Sequence, residues 1–373
     1  MRVLLTGGGT SGHVNPALAI ADIIKARDTS AEFAYVGTER GIEKRLAEKE
    51  GYKFYAVDIR GIDRSLSLSN IKTAYTILTA PSKAKKIIKA FKPDVVIGTG
   101  GYVCWPTLKA AADMGIPTVI HESNSYPGLA VRKLEGKVDL ILTNFKSTED
   151  SLKNRHKAVN VGNPVRVSFS CVDKKEARRR IGIPDDVKFV VLSFGGSLGA
   201  ETLNKVAVDV IKGFASKKSD VMCIHSGGKN FYEDAKLRFA QAGIDGESRF
   251  VLRDYIYNMS DYMMAADVLI CRAGAMTLTE LAMMRKAAVL IPFPGATNQH
   301  QYKNAKTLAD KGAAVLFEEK ELSGDAICAA VEKIYSDKEY ASALCSAVSG
   351  FASEDTGEKI YGEISRLLEA KRK

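Results

Sequence analysis

The sequence predicts an α/β protein made of two doubly wound, Rossmann-like parallel-sheet domains. Three observations predict it. Short apolar runs alternate with amphipathic helical patterns along the chain. Several of the runs end in glycine-rich loops. The whole rhythm restarts once, after Pro164. A chain of 373 residues is long enough for two domains.

Arg2–Leu5 reads as the first strand, and Ala17–Lys25 as a helix with Ala17, Ile20, Ala21 and Ile24 on one face. Phe33–Val36, Asp94–Ile97, Thr118–Ile120 and Leu140–Leu142 follow as buried strands. In the second half, Lys188–Ser193, Val221–His225, Val268–Cys271, Ala288–Pro292 and Ala314–Phe317 repeat the pattern. The expected domains are 1–163 and 164–350. A helix over 351–373 is expected to return to the first domain. The linker falls near Val161–Arg166, where Gly162 permits unusual backbone angles and Pro164 stops a helix. In such sheets ligands bind beyond the carboxyl ends of the strands.

Composition bounds the function. Hydrophobic residues make up 46% and charged residues 26%, which fits globular domains with substantial cores. The formal net charge of +10 favours an anionic partner, whether nucleic acid, a phosphorylated substrate or an acidic membrane surface. The cysteines 104, 171, 223, 271, 328 and 345 form no C-x-x-C pair, and no zinc-type spacing with the five histidines occurs. Reduced core thiols are expected. The first apolar run is too short for the core of a signal peptide, and no stretch approaches the roughly 20 residues of a membrane span. Any membrane contact is expected to be peripheral.

Five loops carry candidate chemistry. Gly7–Pro16 contains G-x-G-x-x-G at Gly7, Gly9 and Gly12, between a strand and a helix. Glycines admit a ligand to the backbone, and helix N-terminal amides favour anions. With Glu39 after the second strand, a dinucleotide site stays open at this point. His13, on the first helical turn, suits proton abstraction near neutral pH or simply bonds a neighbour. Gly98–Tyr102 either cradles an anion or makes a tight turn. Gly195–Gly199, with Ser197, offers a second phosphate-facing loop, which a single-Rossmann dehydrogenase does not need. Arg272–Glu280 leads into a helix expected near Thr277, where Glu280 either accepts from a ribose diol or complements the helix dipole. Asn298–Tyr302 clusters amides and an imidazole on a loop suited to sugar hydroxyls.

Residues 66–92 place Ile71, Tyr75 and Leu78 on one helical face, ahead of Lys83, Lys85, Lys86, Lys89 and Lys92. Apolar surface beside lysines suits an anionic lipid surface. A core face with solvated lysines gives the same pattern.

Taken together, the segments Gly7–Pro16, Gly98–Tyr102, His121–Asn124, Gly162–Arg166, Gly195–Ala200, Cys271–Glu280 and His300–Gln301 resemble one family. It is the MurG family of UDP-N-acetylglucosamine transferases of peptidoglycan synthesis, within glycosyltransferase family 28. The likeness runs over about residues 1–320, in the family's order. The resemblance implies the glycosyltransferase B fold, with the two domains facing across a cleft. It implies a C-terminal domain that binds UDP-GlcNAc and an N-terminal domain that takes lipid I, undecaprenyl-pyrophosphoryl-MurNAc-pentapeptide. Inverting transfer without metal or cofactor, at the cytoplasmic side of the cell membrane, is implied as well.

By the same resemblance, Thr10, Ser11 and Gly12 match a loop closing on the donor sugar and the acceptor pyrophosphate. Asn124 matches a residue near the donor sugar, and Arg166 and Ser197 match donor contacts. Ile256 matches a backbone contact to uracil. Ala275, Met276, Thr277, Leu278, Thr279 and Glu280 match the turn that binds diphosphate and ribose. Gln301 matches a GlcNAc contact, and His13 is the general base. The chain departs from the family's pattern at Ser11, Ser123 and Leu198. Competing readings are a glycolipid or natural-product transferase of the same fold and a nicotinamide-dependent oxidoreductase. Nucleic-acid binding has only the charge in its favour, with no helix-turn-helix, zinc module or basic stripe interleaved with aromatics.

Overall fold

A computed structural model describes residues 1–59, 69–166, 169, 173–296, 299–353 and 355–372, with only the backbone described for 69–75, 77 and 78. The stretch 60–68, Cys171 and Asn298 therefore lie outside the described residues, as do the side chains of Ile71, Tyr75 and Leu78. The chain divides into two compact units, residues 1–167 with 353–373, and residues 168–352.

The first unit is a parallel sheet of seven described strands. They are β1 (Arg2–Thr6), β2 (Glu32–Gly37), β3 (Lys53–Ala56), β4 (Val95–Gly98), β5 (Thr118–Glu122), β6 (Leu140–Thr143) and β7 (Ala158–Asn160). Their order is β3-β2-β1-β4-β5-β6-β7. The order reverses between β1 and β4, which run in register from Val3 opposite Val95 to Thr6 opposite Gly98. Helices α1 (Ser11–Lys25), α2 (Ile42–Lys49), α3 (Ser69–Phe91), α4 (Cys104–Asp113), α5 (Leu129–Leu134) and α6 (Lys146–Asp150) connect the strands.

The second unit repeats the plan with α7 (Lys174–Ile181) and six described strands. These are β8 (Phe189–Phe194), β9 (Val221–Ser226), β10 (Phe250–Arg253), β11 (Val268–Cys271), β12 (Ala287–Leu290) and β13 (Val315–Leu316). They lie in the order β10-β9-β8-β11-β12-β13, all parallel, and reverse between β8 and β11. Between them run α8 (Glu201–Gly213), α9 (Tyr232–Gln241), α10 (Met259–Ala265), α11 (Ala275–Met284) and α12 (His300–Ala309). The unit closes with α13 (Gly324–Ser336) and α14 (Lys338–Ser349). Helix α15 (Thr356–Arg372) belongs to the first unit.

Burial explains why these runs became strands. β4, β6, β8, β9, β11 and β12 are buried along their whole length, as strands covered by helices on both faces must be. The strands that the apolar pattern misses are β3, β7 and β10, and all three are sheet edges. Helix α1 begins at Ser11, six residues earlier than the pattern predicts, and carries Pro16 inside it. Val14, Pro16, Ala17 and Leu18 are all buried, and this packing outweighs the glycine and proline punctuation.

Helix α15 lays Ile360, Ile364 and Leu368 into the same core as Val14, Ala17 and Leu18. Its Glu358 pairs with Arg27, and Lys371 reaches Asp139 at 2.8 Å. Gly162, at a φ of +87°, passes so close to Thr356 that a Cβ would collide with it. Among the described residues no helix is long and apolar enough to cross a membrane.

Candidate functional site

In the first unit the site grows from the switch point. β1 ends at Thr6 and β4 at Gly98, side by side, and each strand hands over to a glycine loop. The two loops lock together. A Cβ on Gly101 would lie 2.1 Å from the Gly8 carbonyl oxygen, and one on Gly100 would lie 2.7 Å from Nδ1 of His13. Both glycines also hold positive φ, 78° at Gly101 and 104° at Gly100, so both sterics and backbone conformation require them. Gly98–Tyr102 is therefore the floor on which the first loop rests, beyond being a turn.

His13 sits half-buried on the first turn of α1. Its Nδ1 lies 3.1 Å from the carbonyl oxygen of Thr99. A carbonyl only accepts, so Nδ1 carries the hydrogen and the neutral ring keeps its lone pair on Nε2. The Thr99 hydroxyl in turn donates to the His13 carbonyl, and the Thr99 amide to Thr6. Imidazole, helix start and strand end are thus tied at one residue that the sequence reading did not single out. The Tyr35 hydroxyl, from β2, donates to the Gly7 carbonyl at 2.8 Å. Thr10 is the N-cap of α1 and makes no side-chain cap bond, and the first turn holds no acidic residue. No acidic side chain of the helix's own first turn offsets the positive end of its dipole.

Asn124 follows β5, the next strand along, so its loop neighbours Gly98–Tyr102. Its amide and its side-chain NH2 both donate to Oε1 of Glu122, while Oε2 of Glu122 accepts from Gly128. His121 is fully buried, lies 2.9 Å from the Gly162 carbonyl oxygen, and is pushed down to about 4 by burial. It therefore stays neutral and structural. Glu39, after β2, is exposed and pairs with Lys44. Arg166 is apart from the glycine loop. Its guanidinium bonds Asp22 at 2.6 Å and Glu50 at 2.9 Å. Asp22 stands about 13 Å along α1 from His13, at the usual helical rise.

In the second unit, Ser197 lies after β8 and Ala275–Glu280 after β11, the two strands that flank the switch point. The loop Gly195–Gly199 is doubled by a second loop that the reading of motifs passed over. The amide of Lys229 donates to the Ser197 carbonyl and that of Asn230 to Leu198. A Cβ on Gly199 would lie 1.9 Å from the Gly227 carbonyl oxygen. The signal was present as Gly227-Gly228 directly after a strand. Beneath both loops runs a buried chain of hydrogen bonds. Asn204 Nδ2 donates to Phe231 and to Asp234, which leaves its Oδ1 to accept from Nε2 of His225 at 2.9 Å. Nδ1 of His225 then accepts from the Ser193 hydroxyl at 2.8 Å. Burial pushes His225 down to about 4, so it remains neutral and holds β8, β9 and α8 in register.

Helix α11 begins at Ala275, two residues before the expected start. Its N-cap is Gly274, and no acidic residue stands in its first turn. Met276 and Leu278 point inward, whereas Thr277 and Thr279 are half-exposed, and the Thr279 hydroxyl donates to Ala275. Glu280 falls on the second turn, is 8% exposed, and is raised by burial to about 8. Ile256 is buried in the loop after β10, between Tyr255 and Tyr257, whose rings meet edge to face.

Gln301 stands on the first turn of α12 rather than on a loop, and its Oε1 accepts from the Phe293 amide at 3.0 Å. Beside it lies a cavity of about 220 Å³ lined by Pro292, Phe293, Pro294, Gln299, Tyr302 and Glu319 among others. Arg272, missed by the sequence reading as a scaffold, bonds the carbonyls of Ile291 and Pro292 and pairs with Glu319 at 2.5 Å. Among the described residues no group of three or more His, Cys, Asp or Glu side chains comes together as a metal site.

Two parallel-sheet units, each with glycine loops at its switch point, define the class of glycosyltransferases with the B-type fold. The chain belongs to glycosyltransferase family 28: the family's N-terminal domain matches residues 3–143 and its C-terminal domain residues 190–358. It is 37% identical over its full length to a protein of Acetivibrio thermocellus, of which 99% is covered. That protein is named UDP-N-acetylglucosamine--N-acetylmuramyl-(pentapeptide) pyrophosphoryl-undecaprenol N-acetylglucosamine transferase. A protein of the same name from Desulforamulus reducens is 38% identical over 91% of each chain. The crystal structure of Acinetobacter baumannii MurG superposes with a TM-score of 0.69 at 27% identity, covering 98% of this chain and 99% of that one. The chain is accordingly a hexosyltransferase.

Proposed function

We propose that the chain transfers N-acetylglucosamine from UDP-GlcNAc to the 4-hydroxyl of MurNAc in lipid I, giving lipid II, with inversion and without a metal ion. The observation that carries the mechanism is the pinned imidazole of His13. Its Nδ1–H is committed to the Thr99 carbonyl, so the basic nitrogen of the neutral ring is Nε2. The names of the relatives support the choice of donor and acceptor.

In this reading the second unit holds the donor. The starts of α8 and α11, on either side of the switch point, receive the diphosphate with Ser197, Ala275, Met276 and Thr277. Glu280 accepts from the ribose hydroxyls, the Ile256 backbone reads uracil, and Gln301 meets the sugar. Leu278 and Thr279 keep that helical turn in place. Thr10, Ser11 and Gly12 close on the donor sugar and the acceptor pyrophosphate, and Asn124 lies near the donor sugar. Nε2 of His13 removes the proton from the acceptor hydroxyl as that oxygen attacks the anomeric carbon. The C–O bond to UDP breaks as the new one forms, and fixed amides stabilise the charge on departing UDP. A single displacement inverts the anomeric centre and needs no enzyme nucleophile. Arg166, held by Asp22 and Glu50, serves the fold of the first unit in this reading.

The enzyme works at the cytoplasmic face of the cell membrane, bound peripherally to anionic lipid. The lysines of α3 support this. Lys83, Lys86 and Lys89 are exposed, while Ala80, Ala84 and Ile88 turn into the core. The deciding experiment measures UDP release from UDP-GlcNAc with a lipid I analogue, with and without EDTA. Release that is unaffected by EDTA is expected. Dependence on metal, or release only with other acceptors, would overturn the reading.

A further inference from the structure

Glu43 is fully buried beneath the first glycine loop. One carboxyl oxygen, Oε1, accepts from both the amide and the hydroxyl of Thr38 at 2.9 and 2.7 Å. The other, Oε2, has no hydrogen-bond partner among the described residues. Three glycines from three segments close around this one side chain. A Cβ on Gly8 would lie 2.8 Å from the carboxyl carbon, one on Gly41 2.2 Å from it, and one on Gly37 2.4 Å from Cγ. None of the three is among the glycines with positive φ. Backbone conformation therefore does not require glycine at these positions. The buried Glu43 side chain instead fills the space a Cβ would take at each of them, joined at Gly37 by the ring of Phe54.

We propose that Glu43 is a positioning residue for the reaction, acting through Gly8. Its carboxyl group is the rigid stop against which the Gly7–Gly12 loop seats, and it sets the height of that loop and of the His13 ring. The carboxyl is itself fixed by Thr38 at the end of β2. Gly8 is pressed between it and Gly101, whose missing Cβ makes room for the Gly8 carbonyl. The loop is thus clamped from both neighbours of β1. Oε2 is the acceptor held ready for a main-chain N–H of the loop when it engages the acceptor substrate. The inference rests on the reading of His13 as the base.

The test uses the full chain as wild type, Glu43→Gln, Gly8→Ala and the double variant. The glutamine keeps both Thr38 bonds through its carbonyl oxygen and puts a donor where Oε2 stood. Expected for Glu43→Gln are a near-normal melting temperature, unchanged UDP affinity by calorimetry, and kcat lowered about 10- to 100-fold, the scale of a small misplacement. Gly8→Ala should do the same. The double variant should be no worse than the poorer single one, because both act through one contact.

Hydrogen exchange of the Gly8–Ser11 amides and the His13 ring resonances provide a readout that does not depend on turnover. Both should shift in Glu43→Gln while those of His225 stay put. Wild-type kcat, additive losses, or an unperturbed loop would overturn the proposal. A parallel loss of UDP affinity and melting temperature would also overturn it, by assigning Glu43 to global stability. Should the wild type fail to release UDP with a lipid I analogue, the base reading falls, and loop exchange still decides the role of Glu43.

Discussion

At the scale of single residues, two side chains carry the sharpest consequences. His13→Ala removes the proposed base but leaves the second unit untouched. Its kcat should fall by about 10²- to 10⁴-fold, with UDP affinity kept, in paired turnover and calorimetry measurements. Near-normal turnover would return His13 to a structural role. Glu280 gives a pH test. Burial raises it from the ordinary 4.5 to about 8. Between those values the folded chain keeps a proton that the unfolded chain has released, so stability falls as pH rises through that window. The contribution is fully present only below the lower value. Urea unfolding at pH 6 and pH 9 should show this loss, and Glu280→Gln should largely remove it. Ribose hydroxyls favour the ionised acceptor, so UDP affinity of the wild type should rise over the same window.

At the scale of elements, the helix that closes the chain is a structural part of the first unit. Ile360 and Ile364 are completely buried against α1. Ile364→Ala should cost about 2–5 kcal/mol, as for other large-to-small core changes, read from denaturant unfolding of the first unit. UDP binding should survive it, and an unchanged midpoint would mean that α15 is peripheral. The strands show which elements sequence pattern reveals. β4, β8 and β11 are central, buried on both faces, and spell themselves as continuous apolar runs. β3, β7 and β10 are edges with partly exposed patterns such as Lys53-Phe-Tyr-Ala56, and no period separates them from loops. Helix starts were displaced for a related reason. The first turns of α1 and α11 are rich in glycine and small residues, which read as loop until the core beneath them is known.

At the scale of the whole molecule, the proposed membrane face of α3 is tested through its charge. Replacing Lys83, Lys85, Lys86 and Lys89 with Glu should weaken binding to acidic vesicles in a flotation assay, with each charge near the surface contributing about 1 kcal/mol. Unchanged binding would remove this helix from the membrane face. Lys83 pairs with Asp58, and Lys85 lies 4.0 Å from Asp113. Lys86 and Lys89 have no ion-pair partner among the described residues and should account for most of the effect. The two units use one architectural device twice. In each, a glycine loop at the switch point is backed by the loop of an adjacent strand, β4 in the first unit and β9 in the second.

By itself the sequence determined the class of fold, the restart after Pro164, and the glycine loops that follow the strands. Glycine, proline and buried apolar runs act locally, and their meaning survives without neighbours. It also marked His13, Ser197 and Glu280 as chemically apt. Only the tertiary structure decided which nitrogen of His13 is basic, because the Thr99 carbonyl that fixes it arrives from 86 residues away. Only the structure separated Glu39, exposed and paired with Lys44, from Glu43, buried under the loop four residues later. It also tied Arg166 to Asp22 and Glu50. Contacts between distant segments leave no periodic trace, since each partner looks ordinary alone and acquires its role only where the sheet brings the strand ends together.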